Sequence, residues 1–365
     1  MPAWRVTRQP FQEVAPQWRA MGRAYAVSPF LSAAWHQALH ELAGGEGGLE
    51  TVAIRDGERT VALATLGQGR ERRLRALPSR VLYLNETGDP RLDRLTVEHN
   101  GLLAAEAEEP PALAALLASL LERSGWDECS LGWWDEARWR RIAPALAHLP
   151  LTPVVRERRT YRFIELEGAD GLGALLGRLS RNTRQQIRRA LRAYGGEGAV
   201  AVEAASGPRQ VQSWLEALAA WHQSRWRARG REGAFADPRL MGFHRRWLAL
   251  GAGDGWAQLL RVSTRQGEIG YLYNLAAGDY LCNYQGGFAY DADAKRKPGL
   301  VCHALAAAEA ARGGMRRYDL LMGDSRYKRS LAGGEGQMVR LLLQRRRWRL
   351  RLDRRLRRWR DGRRG

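Results

Sequence analysis

The chain has 365 residues, 45% hydrophobic and 27% charged, which excludes a disordered polymer and is too much for one ordinary core. No apolar run reaches the roughly 18 residues of a spanning helix, "MPAWRVTRQPFQEV" lacks an apolar signal core, and Cys129, Cys282 and Cys302 fit neither a disulfide framework nor a zinc site, as suits a reducing cytoplasm. The net charge of +20 points to nucleic acid until it is mapped: twelve arginines and two aspartates from Arg345 to Gly365 supply half of it, so the excess belongs mostly to the last segment.

In chain order, "SPFLSAAWHQALHELAGG" predicts a helix, with Trp35, Leu39 and Leu42 at helical spacing and glycines at its end. "LETVAIRDGERTVALATLGQ" is two apolar runs around Asp56-Gly57, a hairpin signal, and "RLRALPSRVLYLN" reads as a further strand. After Pro110-Pro111, "ALAALLASLLERSGW" is an amphipathic helix and "ECSLGWW" a buried strand, so the first mixed α/β unit ends near "LPLTPVVRER".

The second half repeats this order. "LSRNTRQQIRRALRAYGG" is a helix capped by Ser180 and ended by Gly195, with Ile187, Ala190, Leu191 and Tyr194 on one stripe and Arg181, Arg184, Arg188 and Arg192 on another. Helices follow at "VQSWLEALAAWHQSRWRARG" and "DPRLMGFHRRWLALG", then three strands within "WAQLLRVSTRQGEIGYLYNLAAGDYLCNYQGGF", then a strand at "YDLLM". The doubled order suggests duplication, although no residue-level repeat accompanies it.

Between the last two of these strands lies "KRKPGLVCHALAAAEAARGG", which holds Lys295 and Lys297, two of only three lysines in the chain. The first N–H groups of a helix lack partners and its dipole favours anions there. Pro298 suits the first helical position and Gly299 permits close backbone approach. A diphosphate bound here would explain cations at a helix start, where the dipole disfavours them. The other reading is a solvated loop before a proline-initiated helix; neither G-x-x-x-x-G-K-[ST] nor G-x-G-x-x-G is present.

The run from "GEIGYLYNLAAG" through "KPGLV" and "YDLLMGD" to "YK" resembles the GNAT acyltransferase superfamily, more narrowly its BioF2-like or cellulose-biosynthesis-type acetyltransferase branch. It is also similar to the Fem-type aminoacyl transferases. The resemblance implies an α/β (α+β mixed) fold of two tandem GNAT-like domains, each a mixed central sheet flanked by helices. Their expected bounds are 1–155 and, for the catalytic domain, 156–340, followed by a basic Arg/Trp-rich tail over 341–365. It further implies a splayed strand pair around the pantetheine of acetyl-CoA or another acyl-CoA, with Tyr284, Gln285 and Phe288 along it. Lys295, Arg296, Lys297, Gly299 and Leu300 then meet the diphosphate, although the usual R/Q-x-x-G-x-G/A loop survives only as "RKPGLV".

Acyl transfer needs a base and a donor for the leaving thiolate. "MGDSRYKRS" offers Asp324 as base, Tyr327 as donor, and Lys328 for a substrate anion or developing charge; its alternative reading is turn chemistry. Arg181, Arg184 and Arg188 either clamp an anionic substrate or form an exposed basic face, and Phe235 and Arg239 form a rim towards the acceptor. His222 and His303 read as satisfied partners rather than catalysts, and no metal is expected. In the tail, Trp348, Leu352, Leu356 and Trp359 recur at close to helical spacing among arginines. That pattern suits an anionic membrane surface or RNA, or else a solubilising extension. The expected activity is transfer of an acyl group to an amine or hydroxyl in envelope polysaccharide or small-molecule assembly, in the cytoplasm or at the inner membrane surface. The alternatives are a Fem-type transferase using aminoacyl-tRNA, and a non-catalytic protein attached through its tail.

Overall fold

The computed structural model describes residues 4–25, 28–44, 48–74, 77–290, 293 and 295–361. The chain forms two compact units, Met1–Arg159 with Gln337–Gly365, and Thr160–Gly336.

The first unit opens with β1 (Arg5–Arg8), α1 (Phe11–Tyr25) and α2 (Ala33–Leu42). Ser32 starts α2 because its hydroxyl accepts the Trp35 amide at 3.2 Å, satisfying a donor with no partner inside the helix. β2 (Glu50–Asp56) and β3 (Arg59–Arg73) form the Asp56-Gly57 hairpin, with Gly57 at φ +57° where a side chain would strain the turn. β4 (Leu77–Leu84), β5 (Leu103–Ala104), α3 (Glu109–Glu122), β6 (Glu128–Asp135), α4 (Glu136–Ile142) and β7 (Leu151–Glu165) follow. The second unit holds α5 (Leu172–Arg178), α6 (Arg181–Ala193), β8 (Ala201–Ala204), α7 (Gly207–Arg227), α8 (Pro238–Gly251), β9 (Ala257–Thr264), β10 (Gly267–Ala277) and β11 (Tyr280–Phe288). It continues through α9 (Pro298–Arg312), β12 (Arg317–Met322) and α10 (Arg326–Leu331); β13 (Gly334–Arg345) and α11 (Trp348–Asp361) end the chain.

The fold is mixed α/β, and the two units use one pairing scheme. In the first the order is β1-β2-β3-β4-β6-β13; in the second it is β8-β9-β10-β11-β12-β7. In each, three antiparallel pairings are followed by one parallel pairing, β4 with β6 or β11 with β12, and then by an antiparallel one. The doubled order in the sequence is thus a doubled topology, but the closing strands are exchanged. β7 pairs through Tyr161–Glu165 with β12, while Met338–Gln344 of β13 pair with β6.

Residues read from the sequence as the start of a separate tail are therefore the last strand of the first unit. α11 also lies on that unit, with Leu350 and Asp353 buried, and residues 362–365 lie outside the described residues. The first core gathers Ile54, Leu66, Leu84, Leu117, Trp134 and Val339. In the second, Val301, Ala304, Leu305 and Ala308 of α9 pack with Leu272, Leu281 and Tyr318. Alanines along α9 let it approach the strands closely. Among the described residues no helix is long and apolar enough to cross a membrane.

Candidate active site

The parallel pair β11–β12 is short. It is registered at Tyr280↔Arg317, Leu281↔Tyr318 and Cys282↔Asp319, whereas β11 runs on to Phe288. Both strands are distorted where they part. On β12 the Leu321 amide donates to the Asp319 side chain at 2.6 Å, Leu321 takes φ +60°, and the register with β7 shifts between Asp319 and Met322. A side-chain acceptor has displaced the ladder. On β11, Gln285 pairs with Tyr273 and Asn283 with Asn274, so Tyr284 is the extra residue of a bulge. Residues 283–288 thereby lose their β12 partner, and a gap opens between the strands.

The gap leads to the start of α9. Asp293 closes a turn by accepting the Lys295 amide on its side chain at 2.9 Å and the Arg296 amide on its carbonyl at 3.1 Å. Lys297 then takes φ +43°, a left-handed conformation costly for a residue with a Cβ, before Pro298 begins the helix. Its ammonium donates to Gln186 Oε1 of α6 at 2.6 Å. Partial burial, then the charges of Arg326 and Arg189, depress the Lys297 ammonium, so cations of α10 and α6 act on this loop.

The other loop residues fare differently. Lys295 is exposed; Arg296 turns over the Tyr194 ring, 5.5 Å from its centroid, beside a separate hollow of about 290 Å³ that reaches Thr264 and Glu268. Leu300 is buried in the core, and its amide is bonded to the Lys297 carbonyl at 3.0 Å, so it is not an open donor. A Cβ on Gly299 would lie 3.3 Å from the Phe288 ring, so the glycine lets that aromatic sit against the helix start.

Beyond the gap, Tyr327 of α10 stacks on His303 of α9 with centroids 4.8 Å apart and planes at 9°. Phe288 meets the edge of His303 at 5.6 Å and that of Tyr290 at 6.1 Å. Burial, then the Lys328 charge, lowers His303 to about 3, so its imidazole is neutral. Burial and Tyr290 push the Tyr327 hydroxyl up, so it keeps its proton. Lys328 is used structurally: its ammonium donates to the carbonyls of Leu321 at 3.2 Å and Met322 at 2.6 Å, tying down the end of β12. Asp324 lies at the surface, paired with Arg329 at 2.7 Å and Arg162 at 3.3 Å. The Arg329 hydrogen bond is the main cause that holds its carboxyl below the usual range.

On the opposite face α7 lies directly on β11: a Cβ on Gly287 would be 2.4 Å from the Leu218 carbonyl oxygen. One turn on, His222 meets the Gln223 side chain through Nδ1 at 3.3 Å, and its Nε2 accepts from Trp226 at 2.8 Å; burial keeps it neutral. His244 of α8 and Tyr273 are buried with Nδ1 and the hydroxyl unpartnered among the described residues. Tyr284 sits against both, with ring centroids at 5.7 and 5.5 Å.

Phe235, read from the sequence as a rim residue, is buried between His222 and His244, at 5.2 and 5.1 Å. Arg239 is exposed and held by Asp237 at the cap of α8. Arg181 and Arg188 are exposed and Arg184 half-buried; on α6 it is Gln186 that bonds Lys297 and Arg189 whose charge acts on it, one step round the helix from the stripe the sequence suggested. Their spacing of three beside buried Ile187 and Ala190 was the available signal. Arg326, Tyr290, His244 and Tyr273 were also not anticipated, since nothing local marks them. Among the described residues no group of His, Cys, Asp or Glu is placed to hold a metal ion.

Residues 181–329 match the acetyltransferase (GNAT) domain model. The matched stretch lies within the second unit and covers the gap, the Lys297 loop, Tyr327 and Lys328. No curated protein matches the chain. Among solved structures it is similar to FemX, at TM-score 0.61 and 13% identity over 91% of this chain and 96% of that one. It is similar to the C-terminal domain (DUF2156) of a putative lysylphosphatidylglycerol synthetase from Agrobacterium fabrum, at TM-score 0.55 and 11% identity over 92% of each chain. L-PGS from Bacillus licheniformis aligns at TM-score 0.54 and 9% identity, again over 92% of each. At these identities the likeness is one of fold.

Proposed function

We propose that the second unit transfers an acyl group from an acyl-CoA, such as acetyl-CoA, to an amine or hydroxyl acceptor. The observation that carries this reading is the gap beyond Cys282/Asp319, leading to the Lys297 loop, on which the charges of Arg326 and Arg189 also act. Acyl-CoA supplies an extended arm of amides, an acidic diphosphate and a thioester-activated acyl group. The unpaired edge at Asn283–Phe288 offers ladder hydrogen bonds to such an arm, as an exposed strand does to a peptide. The three cations suit the diphosphate, helped by the positive end of α9. Lys295 lies near enough in sequence to add charge from outside, whereas Arg296 and the Leu300 amide are engaged elsewhere.

Tyr327 retains its proton and is the donor for the departing thiolate. Asp324 is ionised but engaged by two arginines and weakly basic, and His222 already spends its Nε2 lone pair on the Trp226 N–H, so neither offers a ready base and the acceptor's proton passes to solvent. Asp324 then positions Arg329 and Arg162, and Lys328 holds the strand end. The acceptor enters on the face of Tyr284 and Gln285.

The test is calorimetric titration of the full chain with CoA and with pantetheine. We expect CoA to bind, pantetheine to bind at least tenfold more weakly, and Lys297→Ala/Arg189→Ala to erase that difference. A chain that ignores CoA but binds aminoacyl-tRNA through the same two residues would overturn the donor assignment.

A further inference from the structure

We propose that α11 is a preformed docking helix for an anionic lipid bilayer. The proposal stands apart from the transferase reading, since α11 belongs to the first unit.

A helix on a protein surface ordinarily turns its apolar stripe inward. α11 buries Leu350 but turns its other large apolar side chains outward. Its inner face is anchored by buried Leu350 and by Asp353, only 1% exposed, which accepts from the Leu74 amide at 3.4 Å and, within the helix, from Arg357 at 2.8 Å. Arg349 adds an ion pair to Asp127 at 2.5 Å. These bonds fix the rotation of the helix about its axis. Its outer face carries Trp348 at 72% exposed, Leu352 at 41%, Leu356 at 42% and Trp359 at 55%. Steps of four, four and three place them on one line. They are four of the six exposed large hydrophobic side chains among the described residues, so the patch is a concentration rather than scatter.

The charge around the stripe selects its occupant. Arg346, Arg351 and Arg355 are exposed beside it, and the last 21 residues carry twelve arginines against two aspartates. A second copy of so cationic a surface would be repelled. RNA would use the arginines and the indoles but gives Leu352 and Leu356 nothing to enter. An anionic bilayer uses every part: headgroups take the guanidinium groups, the leucines reach the acyl boundary, and tryptophan at each end of the stripe suits the interface. Because Asp353 already holds the helix in place, no folding step precedes binding.

Flotation of the full chain with vesicles tests this, comparing phosphatidylglycerol/phosphatidylcholine with phosphatidylcholine alone at about 0.1 M ionic strength. We expect at least tenfold stronger partitioning onto the anionic vesicles and a blue shift of tryptophan emission. Leu352→Ser/Leu356→Ser and, separately, Arg351→Glu/Arg355→Glu should each reduce partitioning at least tenfold, with thermal stability and CoA binding unchanged because these side chains are exposed. Equal partitioning on both vesicle types overturns the proposal. So does an anionic preference untouched by the serine pair, or a stripe covered by self-association in sedimentation, or RNA binding that survives the serine pair while vesicle binding is absent.

Discussion

The phenol ring of Tyr327 lies flat on the imidazole of His303, with 4.8 Å between centroids and 9° between planes. The stack joins α10 to α9 and fixes where the phenol hydroxyl points. Tyr327→Phe keeps the stack and removes only the hydroxyl. Acyl transfer to a working acceptor should fall about a hundredfold in kcat while KM for acyl-CoA is unchanged. Tyr327→Ala should in addition lower unfolding free energy by about 2 kcal/mol in urea titrations.

Buried neutral histidines make the fold acid-sensitive. Burial holds His244 and His303 at about 3 and His40 at about 4, against 6.5 in an unfolded chain, and His36 also lies well below that value. The unfolded chain therefore takes up protons that the folded one refuses. The histidine contribution to stability is complete above about pH 6.5 and is lost as pH falls towards 3, with a slope of up to about 1.4 kcal/mol per pH unit for each histidine. Urea midpoints at pH 7, 6 and 5 should decline in that order, and His244→Phe should flatten the decline.

Glu86 has the opposite sign. Burial, then Asp93, raises its carboxyl to about 8, and its Oε2 has no partner among the described residues. The folded chain keeps a proton that the unfolded one loses above 4.5, so stability drains away as pH rises from 4.5 to 8. Glu86→Gln should leave stability nearly unchanged near pH 4.5 and add about 4 kcal/mol near pH 8, read from paired denaturant titrations.

Two glycines separate close packing from open space. Gly287→Ala would drive a methyl into the Leu218 carbonyl, an atom of helix backbone that cannot swing aside. It should cost about 3 kcal/mol and weaken CoA binding by moving α7 off β11. Gly173 in α5 has nothing within 4 Å of the added carbon, so Gly173→Ala should stabilise by about 0.5–1 kcal/mol through helix propensity alone. Thermal melts of the two variants check the contrast.

The parts of the fold that were legible in the sequence are those fixed by neighbours in the chain. Ser180 caps α6 by accepting the Thr183 amide at 3.2 Å, Asp56-Gly57 turns the first hairpin, and Pro298 opens α9. Each depends on a few adjacent residues. The exchange of closing strands was not legible, because "QMVRLLLQ" pairs with residues about 200 positions away and its apolar run carries no address. Lys297 was found through its charge, yet its partner Gln186 lies 111 positions earlier. Phe235 was read as a rim residue with the stretch around it, whereas two buried histidines from separate helices enclose it. The stripe on α11 was visible from spacing; that Asp353 turns it outward is a tertiary fact.

The nesting of one unit inside the other sets an order of events during synthesis. Thr160–Gly336 is complete once Gly336 has left the ribosome, while the first unit still lacks the strand that covers the β6 edge from Glu128 to Asp135. Met1–Arg159, although made first, must wait with a sheet margin open until the final residues emerge. Stalled or shortened chains missing those residues would be ready partners for intermolecular strand addition.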